Sequence, residues 1–227
     1  MFDFKDGYGP VPASKHPNGG GWVADSAKVA STAYVGPYAK VFGKAQVSDN
    51  AWVLGNAKVF GHAEVYGDAN VSGNATVFGD AEVYGNAKVL GNAKVSGKAW
   101  VYGNAKVSVD AYVSGDAEVY GNVWVSGKAQ VYGNAKVSGN AEVFGNAKVS
   151  GKAWVFGKAQ VSGNAWVSGN AHVSDKAWVP CNAHVSDNTP KTTTVSGEIT
   201  MIQIIINGVS KGELTQDMTT HYKTIVS

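Results

Sequence analysis

The chain runs to 227 residues with a formal net charge of +2, only 16% charged residues and 29 glycines. Charge this sparse and interspersed leaves no electrostatic footprint for nucleic acid or an anionic membrane surface, and neither partner is expected. No run approaches the roughly 18 apolar residues of a membrane span, and the opening Met1-Phe2-Asp3-Phe4-Lys5-Asp6 lacks the basic-then-apolar order of a secretory signal, which predicts cytoplasmic synthesis without membrane insertion.

Residues 1–21 stand apart from the rest of the chain, with Phe2, Phe4, Tyr8 and the run Gly19-Gly20-Gly21. A solenoid leaves its first rung open to water, and terminal segments that differ from the repeat usually close it. The stretch is predicted to be an irregular N-terminal cap, with a binding loop as the alternative.

From Val23 to Val185 valine returns at every sixth position, giving 28 consecutive hexads such as Ala87-Lys88-Val89-Leu90-Gly91-Asn92. Ala stands two residues before the valine in 26 of the 28, the exceptions being Gly21 and Val123. With a strand period of two, Ala and Val share a side and face inward, while their neighbours face outward. Gly stands two after the valine in 20 of the 28 hexads, and across all 28 the next position is Asn in 14 and Asp in 4. These residues tolerate the positive φ of a sharp corner. Each unit is a translated copy of the last, which excludes a hairpin meander. The prediction is an all-β parallel solenoid over residues 22–188, with three hexads per coil and about nine coils spaced ~4.8 Å apart.

Beyond Val185 the pattern stops. Residues 189–194 read as a polar linker in which Pro190 cannot continue a ladder. Residues 195–227 read as a C-terminal β-hairpin element, with Asn207-Gly208 as its turn. Ile202, Ile204 and Ile206 share one face of its first strand, and Ile199, Met201 and Ile205 share the other. A terminal cap and an oligomerisation element both fit, and Ile202, Ile204 and Ile206 are the candidate oligomer contact.

Three six-residue sides with small and aliphatic residues inward resemble the left-handed parallel β-helix of hexapeptide-repeat proteins, a likeness that covers about residues 22–188. Left-handedness departs from the usual crossover rule and is implied by the resemblance alone. The variant here, Gly-Asn-Ala-x-Val-x, is similar to very regular repeats of phage and prophage proteins often labelled transferases. The resemblance implies a homo-oligomer, with a trimer favoured, and raises incorporation into a virion or filament.

The family includes acyltransferases, which by resemblance use a catalytic His beside a coil, a protruding loop and a C-terminal helix. The 28 hexads run without an insertion, and no terminal helical period is visible. Of the five histidines, His172 and His184 sit at the outward position before valine on different sides, where a solvated role is simplest. The family's zinc-dependent members need three protein ligands at the metal. Cys181 with His184 offers only half of such a set. No catalytic residue, metal site or cofactor is expected, and the chain is read as not an enzyme, with acyltransferase activity as the alternative.

The outer columns carry more information. Residues 18 apart stack, so one side carries Tyr66, Tyr84, Tyr102 and Tyr120, with Glu64, Glu82, Trp100 and Glu118 on the same strands. A second side stacks Phe42, Phe60 and Phe78. Long exposed aromatic columns point to an interface between rods, to a glycan or another structural protein as partner, or to simple stabilisation of stacked strands. Glu64 and Glu82, one rung apart, need a counter-charge or water. The reading is a non-enzymatic structural rod, homo-oligomeric, with carbohydrate binding through the aromatic columns as an alternative.

Overall fold

A computed structural model describes residues 1–187 and the backbone of 194–196. Ile202, Ile204, Ile206 and the expected hairpin lie outside the described residues. Among those described there is no helix, and the hexads wind into three parallel sheets that form the sides of a prism of about nine coils. Face one holds 11 strands, from Ala13–Lys15 to His184–Asp187. Face two holds 10, from Lys28–Val29 to Thr194–Ser196, and face three holds 9, from Tyr34–Val35 to Trp178–Val179.

The register follows from the period. Val59 pairs with Val77, Val65 with Val83 and Val71 with Val89, so each valine lies under its equivalent one coil on. The Ala and Val columns form one continuous core, with most members fully buried. Burial of each valine side chain contributes about 1.5 kcal/mol before chain entropy is set against it.

The corners need glycine on two counts. At Gly97 φ is +70°, and a Cβ there would lie 2.8 Å from both the backbone N and O of Gly115 on the next coil. Where glycine is replaced, Asp49, Val109 and Asp175 still take φ of 56°, 65° and 59°. The following Asn was expected to share this task. Among the described corner asparagines only Asn182 adopts positive φ, because the residue before the others, glycine or Asp49, has already made the turn.

Residues 1–21 wrap the start of the prism. Ala13–Lys15 pairs antiparallel with Trp22–Ala24 and covers the first edge of face one. Gly21 N donates to Val35 O, and Val35 N donates to Asn18 O, which covers the first edge of face three. Phe2 stacks on Trp22 with ring centroids 4.1 Å apart. At the far end, Thr194–Ser196 pairs in parallel with His172–Ser174 on face two.

Candidate functional site

With the core sealed, the chemistry of the chain lies on its outer faces. On face two the four tyrosines stack ring on ring, with centroids 4.8, 4.8 and 5.0 Å apart and interplanar angles of 1° to 6°. The rings are half-buried, and apart from the outer faces of Tyr66 and Tyr120 their faces are taken up by one another. Little surface is left on which a sugar ring would stack, and the glycan alternative draws no support from the column. Burial raises the Tyr66 phenol, helped by its hydrogen bond to Glu82. Burial and the nearby carboxylate of Glu82 raise Tyr84, and burial with the neighbouring Tyr84 pushes Tyr102 up to about 12.

The acidic column beside the tyrosines is satisfied rung by rung. Glu64 Oε1 accepts from Gln46 Nε2 at 2.9 Å, and Glu82 Oε2 accepts from the Tyr66 hydroxyl at 3.0 Å. Trp100 separates Glu82 from Glu118, and Glu118 Oε1 lies 2.9 Å from Lys136 Nζ. Glu64 and Glu82 pair directly across the ladder, so neutral donors, with no cation in contact among the described residues, relieve their mutual repulsion.

Face one has the opposite character. Among the described residues its outward positions directly before valine carry Lys40, Lys58, Lys94 and Lys148 and no carboxylate. Phe42, Phe60 and Phe78 stack 4.8 and 5.1 Å apart. Phe42 was expected on an open column and is corrected here: it is buried to 5% exposure because Phe4 of the N-terminal segment stacks on it at 4.8 Å. Phe60 and Phe78 remain half-buried.

Three arrangements escaped the sequence reading. Trp124, Trp154, Trp166 and Trp178 each donate the indole N–H to a serine on the preceding coil, Ser108, Ser138, Ser150 and Ser162, all at 3.1 Å. The corner amides form ladders: Asn56 donates to Asn74, Asn74 to Asn92 and Asn92 to Asp110, at 3.2, 3.0 and 2.9 Å. His62 Nδ1 lies 3.1 Å from Asp80 Oδ1 at an exposed corner between faces one and two. The signal for the tryptophans was a serine 16 residues upstream, and for the other two a partner 18 downstream.

His172 packs edge-on against Trp154, and His184 stacks on Trp166 at 4.7 Å with its Nε2 buried and unpaired among the described residues. They lie on faces two and one and do not meet. Cys181 is exposed and free. Among the described residues no three His, Cys, Asp or Glu side chains converge as metal ligands, and no helix is long and apolar enough to cross a membrane.

Comparison with known proteins bears on the fold. The sequence model of the YdcK Beta solenoid repeat matches residues 129–143 and 159–178. A search of curated proteins finds no match. Among solved structures, LpxA from Acinetobacter baumannii is similar at 12% identity over 73% of this chain and 71% of that one, with a TM-score of 0.39. The Arabidopsis UDP-N-acetylglucosamine acyltransferase is similar at 13% identity over 78% and 71%, with a TM-score of 0.44. The Francisella novicida UDP-N-acetylglucosamine acyltransferase is similar at 13% over 72% and 66%, with a TM-score of 0.35. The fold is a parallel β-solenoid of hexapeptide repeats, about nine coils long. The expectation that the chain is not an enzyme is corrected by this finding, because proteins of similar fold are acyltransferases. None of these matches carries a phage or viral connection.

Proposed function

We propose that this hexapeptide-repeat β-helix is a rigid scaffold whose copies associate side by side, face one of each against face two of the next. The observation that supports this reading is the partition of charge between the two faces. Lys58 and Lys94 project from face one, while Glu64 and Glu82 project from face two of the same region of the prism. A contact between unlike faces is heterologous, and three such contacts close a ring around a threefold axis. Rim charges of this kind steer and register an interface more than they tighten it, with Phe60, Phe78 and the tyrosine edges supplying apolar area.

The test is the solution mass by light scattering. Wild type is expected as a trimer that weakens at high salt, since exposed charges are screened beyond about 8 Å at physiological ionic strength. Lys58→Glu with Lys94→Glu is expected to dissociate it, and adding Glu64→Lys with Glu82→Lys to the same chain restores it. A wild-type monomer, or an assembly indifferent to both charge changes, overturns the reading.

Acyl transfer is a second reading, and the observation that favours it is the His62–Asp80 pair. A carboxylate on Nδ1 fixes the ring orientation and leaves Nε2 to act as a general base. The test is calorimetric titration with acetyl-coenzyme A, comparing wild type with His62→Gln. Saturable binding with acyl transfer lost in the variant supports it, and no heat of binding removes it.

A further inference from the structure

The N-terminal end of the prism is closed on two sides and open on the third. Strand Ala13–Lys15 covers the first edge of face one, and residues 18–21 cover that of face three. On face two the first strand, Lys28–Val29, pairs with Gln46–Val47 on one side, and among the described residues no strand pairs with the other. The consequence is visible in burial. Val35 and Val41 are fully buried, whereas Ala27 and Val29 are only partly covered. Lys28 N and Ala30 N donate to Ala45 O and Val47 O on the next coil, so the Val29 N–H points away from the ladder. An open cleft of about 530 Å³ flanks this edge, lined by Ala27, Val29, Gln46, Glu64 and Tyr66 among others.

We propose that this edge accepts residues 199–206 of a second copy as an added β-strand, joining solenoids head to tail. Backbone hydrogen bonds supply the attraction in such strand addition, and alternate side chains supply the fit. The segment Ile199-Thr200-Met201-Ile202-Gln203-Ile204-Ile205-Ile206 is uncharged, rich in β-branched residues and free of proline and glycine, the composition that pairs with an open edge. One apolar side of it closes the core above Ala27 and Val29, and the other enters the cleft. Glu198, directly before the segment, answers Lys28, whose exposed charge otherwise blunts the edge.

Reach assigns the strand to another copy. Face two runs through ten strands from Lys28–Val29 to Thr194–Ser196, and nine steps of ~4.8 Å separate its ends by roughly 43 Å. Ile199 follows Ser196 by three residues, a span of about 10 Å at full extension. A chain therefore cannot lay this segment on its own first rung. It leaves from the last rung of face two, which is where the first rung of face two of a following copy would sit. The resulting contact is heterologous and does not close, so it lengthens the rod. It shares Glu64 and Tyr66 with the side-by-side contact, but the two are distinguished by readout: lateral pairing sets the mass of the repeating unit and not the number of units in line.

The experiment uses two variants of the full chain. Val29→Pro removes the edge N–H at a position where an edge strand tolerates proline, and Ile204→Asp places a charge in the added strand. Far-UV circular dichroism confirms that each keeps the wild-type spectrum. In sedimentation velocity, wild type is expected to grow with concentration in multiples of its basal mass, and each variant alone to stay at that mass. An equimolar mixture is expected to regain association, because the Ile204→Asp chain offers an intact edge to the intact strand of the Val29→Pro chain. A synthetic peptide of residues 197–208 is expected to stop growth of wild type. A wild type that does not grow, a Val29→Pro chain that grows unchanged, or a mixture that stays at the separate masses overturns the proposal.

Discussion

Trp166 donates its indole N–H to Ser150 Oγ on the preceding coil at 3.1 Å, and the serine is buried to 5% exposure beneath the ring. The bond lets a large aromatic lie flat across two rungs with its polar atom satisfied. Ser150→Ala leaves that N–H without its acceptor and is expected to cost about 1 kcal/mol. Thermal unfolding followed by tryptophan fluorescence checks this, with Ser114→Ala, on the same face and outside any such pair, expected to change little.

Val109 occupies a corner with φ of 65° and is 52% exposed, so its side chain is strained and gains little from burial. Val109→Gly is expected to stabilise the fold by about 1 kcal/mol, the relief of a left-handed conformation less the added freedom of the unfolded chain. The reverse change at a close-packed corner, Gly97→Ala, adds a clash with Gly115 to the same strain and is expected to cost about 3 kcal/mol. Urea titration of the two variants gives both signs in one measurement.

The tyrosine ladder makes stability fall in alkali. Tyr102 holds its proton up to about 12 in the folded chain, against about 10 when unfolded. A group whose folded pKa is raised contributes stability that is complete below pH 10 and is lost as pH rises through 12, because the unfolded chain releases the proton first. The thermal midpoint is expected to drop across this window, and Tyr84→Phe with Tyr102→Phe is expected to flatten the drop. Absorbance of the phenolate near the same pH reports the titration directly.

Asn92 Nδ2 donates to Asp110 Oδ1 at 2.9 Å in the corner ladder. Asn92→Asp places two carboxylates on adjacent rungs and is expected to cost about 0.5 kcal/mol at neutral pH. Unfolding in low and high salt checks the cause: the loss shrinks as salt screens the pair.

The sixfold valine beat carried the coil, the 18-residue register and the inward Ala and Val columns, since a strand period of two leaves no other side for them. It also placed the Tyr and Phe columns on their faces. What it did not carry was depth. Phe42 looked open because its cover, Phe4, lies outside the repeat and obeys no period. The tyrosine faces looked available because stacking distance is a property of the coil spacing and not of the residue. The pairing of Trp166 with Ser150 runs diagonally, 16 residues back, and a search along straight columns passes over it. His62 over Asp80 obeys the 18-residue rule, but both residues sit at a corner, away from the outward positions beside valine that the strand period singles out.

The uniform register has one more consequence. Each coil closes against its neighbour through partners 18 residues distant, so no long loop has to be gathered before contacts form. A turn of the helix can settle as soon as its own residues have left the ribosome, using the finished turn before it as a template. Duplicating one such unit adds ~4.8 Å and disturbs nothing else, which makes the reach of the molecule a matter of how many copies of a short phrase its gene contains.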